Sequence, residues 1–154
     1  MNKKILATFL VKAKFNTYTT KGETKEKINL NGEKELTFKE NNLKYKDKYF
    51  GYNPFIGEEI VWKNDDIIWG MNYYGKVTSK KVLPAKIYEF LKEALKTVDV
   101  STPFRGSKKY KKQNFIYTNK TKGSIENFKG EEKIFYKNIL VYILTYHGGF
   151  IKKK

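Results

Sequence analysis

Apolar residues recur at helical spacing near the start of the chain, where Ile5, Leu6, Phe9, Leu10 and Ala13 fall on one face of an amphipathic helix. A second stripe runs through Ile87, Phe90, Leu91, Ala94, Leu95 and Val98. Lys86, Lys92, Glu93 and Lys96 point outward from it, and Pro84 suits its first turn. Between the two helices the period changes to two. Glu35–Phe38 and Leu43–Lys46 flank Glu40-Asn41-Asn42, and Gly57–Lys63 and Ile67–Gly75 flank Asn64-Asp65-Asp66, so two hairpins are expected. Beyond Pro103 and Gly106 four more strands are predicted, over Asn114–Thr118, Ser124–Phe128, Lys133–Tyr136 and Ile139–His147, with turns at Gly123 and Lys137-Asn138. Asn16 to Lys34 lacks periodicity and predicts a long loop, and Lys152-Lys153-Lys154 a frayed tail.

The order helix, four strands, helix, four strands suggests duplication. Phe55-Ile56-Gly57-Glu58-Glu59 recurs as Phe128-Lys129-Gly130-Glu131-Glu132. Each copy then runs through an apolar strand, a Lys-Asn turn and a second apolar strand, ending in Tyr73-Tyr74-Gly75 or Tyr146-His147-Gly148. The expected architecture is α+β, one domain over 1–154. It is built as two tandem halves (about 1–79 and 80–154), each a helix plus a four-stranded antiparallel sheet, related by a pseudo-twofold axis. Ile67-Ile68-Trp69 and Leu140-Val141-Tyr142-Ile143-Leu144 are apolar on both alternating faces. They predict central strands covered on both sides, with the helices as covers.

Composition narrows the function classes. The chain has 154 residues, 40% hydrophobic and 16% aromatic, which is enough to build a core and far from a disordered profile. The absence of cysteine excludes disulfides, a thiolate nucleophile and cysteine-based metal sites. Lys3 and Lys4 before the run Ile5–Val11 superficially resemble a secretion signal. Lys12 and Lys14 interrupt the run at once, no cleavage site follows, and it is too short to cross a bilayer. A cytoplasmic protein without membrane association is expected. The formal charge of +16 attracts anions, although a lysine-, asparagine- and isoleucine-rich composition is also what an AT-rich genome produces on a solvated surface. Against that background Arg105, the sole arginine, and His147, the sole histidine, stand out.

Several motifs together resemble a bacterial family, domain of unknown function 5680, whose members often follow an XRE-type helix-turn-helix. They are Phe9-Leu10-Val11-Lys12-Ala13-Lys14 with Thr17-Tyr18, Phe55–Glu59 with Trp62, Trp69–Gly75, Pro103-Phe104-Arg105-Gly106 and Tyr146-His147-Gly148-Gly149. Members usually have alanine where this chain has Gly70, and no helix-turn-helix precedes the first helix here. The resemblance implies an effector-like domain and no particular chemistry.

In a two-residue turn at Asn64-Asp65, Glu59, Val61, Ile68, Gly70 and Asn72 share one sheet face, and Glu58, Ile60, Trp62, Ile67, Trp69, Met71 and Tyr73 the other. One acid of the Glu58-Glu59 pair then enters an apolar face. It must find a partner such as Arg105 or a lysine, or act as a ligand-binding acid or base. Glu59, Gly70 and Asn72 would floor a small polar pocket. Arg105 lies in a loop, where it either forms a salt bridge or grips a phosphate or carboxylate. His147 is either a structural residue or an acid–base group. Tyr73, Tyr74 and Tyr146 are expected in the core. Lys108 to Lys122, interleaved with Tyr110, Phe115 and Tyr117, suits single-stranded nucleic acid or a solvated loop. One histidine and no cysteine make a metal centre a poor fit, and no phosphate-binding glycine loop or nucleophile elbow is present, so no cofactor is implied.

Two functions follow. The first is a non-catalytic ligand-binding or sensor-like domain for an anionic, nucleotide-like small molecule. Glu58, Glu59, Asn72, Tyr73, Arg105 and His147 would converge on a cleft between the halves, with RNA or single-stranded nucleic acid as a further partner. The second is a metal-independent phosphodiesterase or ribonuclease in which Glu, Arg and His supply base, phosphate clamp and acid at one site.

Overall fold

The structure, a computed structural model, describes residues 2–19 and 27–152. Helix α1 spans Lys3–Thr19 and α2 Pro84–Leu95. The strands are β1 (Lys27–Ile28), β2 (Lys34–Glu40), β3 (Leu43–Gly51), β4 (Phe55–Lys63), β5 (Asp66–Val77), β6 (Lys109–Lys112), β7 (Phe115–Ser124), β8 (Asn127–Tyr136) and β9 (Ile139–Phe150). They form a nine-stranded antiparallel sheet in the order β1-β2-β3-β4-β5-β9-β8-β7-β6. The chain thus lays strands from one edge to the middle, crosses through α2 to the opposite edge, and returns to the middle, where β5 pairs with β9. The architecture is mixed α+β, as the alternation of periods predicts. The segment Asn16 to Lys34, predicted as a loop, holds the end of α1, strand β1 and the first residue of β2; residues 1, 20–26, 153 and 154 lie outside the described part.

Each helix forms for local reasons and buries one stripe. The Asn2 side chain accepts the Lys4 N–H at 2.8 Å and caps α1. Leu6, Phe9, Leu10 and Ala13 are buried, and the stripe extends to Lys14 and Thr17. Ile5 belongs to this face by its spacing, yet it is 56% exposed. It sits about 100° around the helix from Leu6, one residue's rotation off the stripe. In α2, Pro84 occupies the first turn, and Ile87, Phe90, Leu91, Ala94 and Leu95 are buried. Val98, just past the helix, is buried too.

Both helices pack on the same face of the sheet and touch each other, α1 over β2 and β3 and α2 over β7. Phe9 meets Phe38 at 5.7 Å, Phe90 stacks on Phe115 at 4.9 Å, and Tyr88 meets Tyr142 edge-on at 6.3 Å. β5 and β9 are central, as their apolar runs predict, but among the described residues no helix covers their second face: Ile67 and Tyr74 are 44% and 46% exposed there. Tyr74, expected in the core, therefore faces out.

The turns at Asn64-Asp65 and Lys137-Asn138 form as the sequence predicts; Gly123 instead lies within β7 opposite Phe128, with the turn at Ile125-Glu126, and the registers also differ from expectation. Asn64-Asp65 and Lys137-Asn138 are two-residue turns with positive φ at both positions (48° and 68°; 47° and 68°), the type I′ geometry that matches sheet twist. Past the first turn Trp62 pairs with Ile67, but Val61 pairs with Trp69, leaving Ile68 as an extra residue. Past the second, Phe135 pairs with Leu140 and Ile134 with Tyr142, leaving Val141 extra. Each bulge exchanges the two faces of everything beyond it. Two strand expectations are also corrected. Ser124–Phe128 straddles the β7–β8 turn, and the lysine-rich Lys109–Lys112, which carries no apolar alternation, is strand β6.

Candidate functional site

The bulge at Ile68 decides which carboxylate turns inward. Glu59 pairs with Met71 and faces the helices, fully buried, while Glu58 pairs with Asn72 on the open face and makes an ion pair with Lys48 at 3.1 Å. Gly70 shares the open face with Asn72 but not with Glu59, so the expected Glu59–Gly70–Asn72 pocket does not form. Ile60 and Ile151 cover Gly70 instead.

Under the helices lies a sealed polar network. The Lys14 ammonium donates to Glu59 Oε2, with both side chains at 0% exposure. Arg105 makes a fork to Glu132, Nε to Oε2 at 3.1 Å and Nη2 to Oε1 at 2.8 Å. Glu132 also accepts the hydroxyls of Tyr117 at 2.7 Å and Tyr142 at 2.9 Å, so its carboxylate is saturated. The Arg105 guanidinium lies 5.4 Å from the centre of the Tyr73 ring, and Tyr73 Oη donates to Asp47 at 2.6 Å. Across the sheet Tyr146 Oη donates to Asn119 at 2.8 Å. Gly57 and Gly130 make these two tyrosine positions possible, since a Cβ on either would collide with the ring or hydroxyl of Tyr73 or Tyr146, its cross-strand partner.

Charge in this network is held by burial and by partners. Burial would lower the Arg105 guanidinium, but Glu132 holds it well above its ordinary value. Burial lowers Lys14, with Glu59 opposing. Asp47 is pushed up to about 7, first by burial and then by the Glu59 carboxylate, against the hydrogen bond from Tyr73. Burial raises Tyr18 and Tyr45. Their hydroxyls and Glu59 Oε1 have no hydrogen-bond partner among the described residues.

The open face is organised by the register. Lys48, Glu58, Asn72, His147, Lys129 and Lys122 are successive cross-strand neighbours on β3, β4, β5, β9, β8 and β7. Asn72, His147, Lys129 and Lys122 are exposed, Lys48 and Glu58 half-buried. Two strand positions from Asn72, the Tyr74 ring is 46% exposed.

The six residues singled out by the sequence therefore divide. Glu58, Asn72 and His147 adjoin one another outside; Glu59, Tyr73 and Arg105 lie inside. They do not converge on one hollow. The Glu–Arg–His constellation for phosphodiester cleavage does not form either, because the sheet separates the exposed His147 from Arg105, which is 4% exposed beneath it. Arg105 takes the salt-bridge role, with Glu132 as its partner.

The sequence reading missed Lys14, Asp47 and Glu132. Signals for each were present. Glu132 occupies the last position of the recurring Phe-x-Gly-Glu-Glu motif, the place Glu59 holds in the first copy. Asp47 alternates with Leu43 and Tyr45 on the apolar side of β3. Lys14 is one helical turn beyond Leu10.

Among the described residues, no helix is long and apolar enough to cross a membrane, and no three His, Cys, Asp or Glu side chains cluster to hold a metal ion. No curated protein and no solved structure matches the chain. One family model does, over residues 47–151, which runs from the middle of β3 through β9 with Arg105 and the Glu59 and Glu132 positions and leaves the α1 motif outside the matched span. The chain belongs to the family described as domain of unknown function (DUF5680).

Proposed function

We propose that this domain is a non-catalytic binding module that takes an anionic, nucleotide-like small molecule on the open face of its sheet. The observation that carries this reading is the row of Asn72, His147 and Lys129, exposed neighbours on three adjacent strands. The Asn72 amide offers a donor and an acceptor for a base edge, the Tyr74 ring a surface for stacking, and His147 with Lys129 donors for phosphate. The sealed network beneath holds β4, β5, β8 and β9 in place rather than touching ligand. Glu59, Tyr73 and Arg105 belong to that scaffold, and Glu58 tethers Lys48 beside the row.

We also read the two halves as repeats related by a pseudo-twofold between β5 and β9. Three correspondences support it: Glu59 with a buried cation and Glu132 with a buried cation, Tyr73 on Asp47 and Tyr146 on Asn119, and a bulge at Val61/Trp62 and at Ile134/Phe135.

A thermal-shift panel of nucleoside mono-, di- and triphosphates with chelator present tests the binding reading. A nucleotide at a hundredfold excess over Kd stabilises by about 2.7 kcal/mol, which raises Tm by about 5–10 °C in a domain of this size. Asn72→Ala and His147→Ala are expected to abolish the shift and leave the unliganded Tm unchanged. A panel in which no nucleotide moves Tm, or in which both variants respond like wild type, refutes the reading.

A further inference from the structure

We infer that the open face of β6, β7 and β8 grips a nucleic-acid strand through its phosphates alone, without reading or stacking its bases. The inference shares with the preceding reading the choice of face and Lys129. Strand alternation places Lys109, Lys111, Lys120 and Lys122 on the side opposite Tyr110, Phe115 and Tyr117, while Lys112 stays on the helix side with Glu93. Tyr117 is fully buried and bonded to Glu132, Phe115 is stacked on Phe90, and Tyr110 reaches Glu93 of α2 at 3.3 Å. These three rings are committed to the helix side, and Phe135, which shares the open face of β8, is half-buried between Ile116 and Leu140, so a bound strand finds no fully exposed ring on these strands to stack on.

Lys109, Lys111, Lys120, Lys122, Lys129 and Lys133 alternate with those inward residues and lie on the open face. Among the described residues the acid of that face on these strands is Glu131, and Lys133 neutralises it at 2.5 Å. Residues two apart on a strand are about 7 Å apart and strands about 4.8 Å, so the lysines form a dense cationic lattice.

One pairing marks this lattice as more than scattered surface charge. Lys122 sits directly opposite Lys129. Neither has a carboxylate partner within salt-bridge distance among the described residues. Like charges in that geometry destabilise a sheet, and a polyanion laid across β7 and β8 relieves the repulsion. Thr118, half-buried on the same face, adds a hydroxyl for phosphate.

The test is fluorescence anisotropy on the intact chain with three probes: a labelled 20-nucleotide oligothymidylate, an abasic oligomer of the same length, and vesicles of phosphatidylglycerol and phosphatidylcholine. The two oligomers are expected to bind within about threefold of each other, because the phosphates supply the affinity. Replacing Lys120, Lys122 and Lys129 together by Gln is expected to flatten the slope of log K against log salt by about 2, at about 0.7 for each single-strand phosphate no longer neutralised. Replacing Lys86, Lys92 and Lys96, exposed on α2 and its C-cap, by Gln removes the same charge and is expected to leave the slope unchanged. The inference is overturned by no binding to either oligomer at low salt, by failure of the abasic oligomer alone, by equal weakening in the two triple variants, or by a patch effect confined to the vesicles. Asn72→Ala and His147→Ala leave strand binding intact if the lysine lattice acts by itself, which separates this outcome from the fate of the small-molecule reading.

Discussion

Replacing Asp47 by Asn is expected to stabilise the protein at neutral and alkaline pH and to do little in acid. Asp47 is 4% exposed, and burial together with the Glu59 carboxylate pushes it from 3.8 up to about 7. The folded state thus holds the Asp47 proton more tightly than the unfolded chain does. The resulting stabilisation is complete below pH 3.8 and is lost as pH climbs to about 7. The slope across that window is about −1.4 kcal/mol per pH unit, so the whole interval amounts to about 4 kcal/mol. Asn keeps an acceptor for the Tyr73 hydroxyl, as Asn119 does for Tyr146, and its N–H donors enter a neighbourhood where Glu59 Oε1 has no partner among the described residues. Urea unfolding followed by tryptophan fluorescence at about pH 4.5 and about pH 8, on either side of most of that window, measures the effect. The difference between variant and wild type is expected to grow in favour of the variant between the two pH values, other carboxylates cancelling because both proteins carry them. A difference that is the same at both pH values, or a variant less stable than wild type in the alkaline sample, refutes the claim that burial and the neighbouring Glu59 carboxylate raise the Asp47 carboxyl.

Two further substitutions probe the network. Glu132→Ala leaves Arg105 buried without its carboxylate and the Tyr117 and Tyr142 hydroxyls without their acceptor. It is expected to cost about 3–5 kcal/mol in urea unfolding, and a loss below about 1 kcal/mol, the scale of an exposed ion pair, contradicts the assignment. Gly130→Ala places a Cβ against the Tyr146 ring. It is expected to cost about 1–3 kcal/mol and to displace Tyr146 from Asn119, which a change in the Tyr146 ring resonances reports.

The helix stripes and the turns at Asn64-Asp65 and Lys137-Asn138 were legible because their signals are local. Five apolar positions at a period of 3.6 define α2 whatever it packs against, and Asn64-Asp65 adopts its turn through backbone preferences of its own residues. The registers were not legible. In Ile67-Ile68-Trp69 every residue is apolar, so sliding by one position changes no hydrophobic count, and the bulge that sends Glu59 inward leaves no mark in the pattern. That single residue also placed Asn72 away from Glu59, dispersing the expected pocket. Lys14 was hidden for a different reason. A lysine on the apolar stripe of a helix is unfavourable alone and stable only with Glu59, whose position depends on the unseen bulge. In a chain of 31 lysines and one arginine, the composition marked Arg105 correctly as special. Its role is nonetheless in the core, where a planar fork saturates Glu132.

The outermost strands bear on how the molecule behaves in a crowd. An antiparallel sheet with free margins invites strand-to-strand addition by neighbours. Here one margin, β1, is two residues long, and the other, β6, is Lys109-Tyr110-Lys111-Lys112. A second copy approaching β6 edge to edge brings the Lys109 and Lys111 ammoniums against their own counterparts, so the chemistry of this strand opposes sheet extension at that margin.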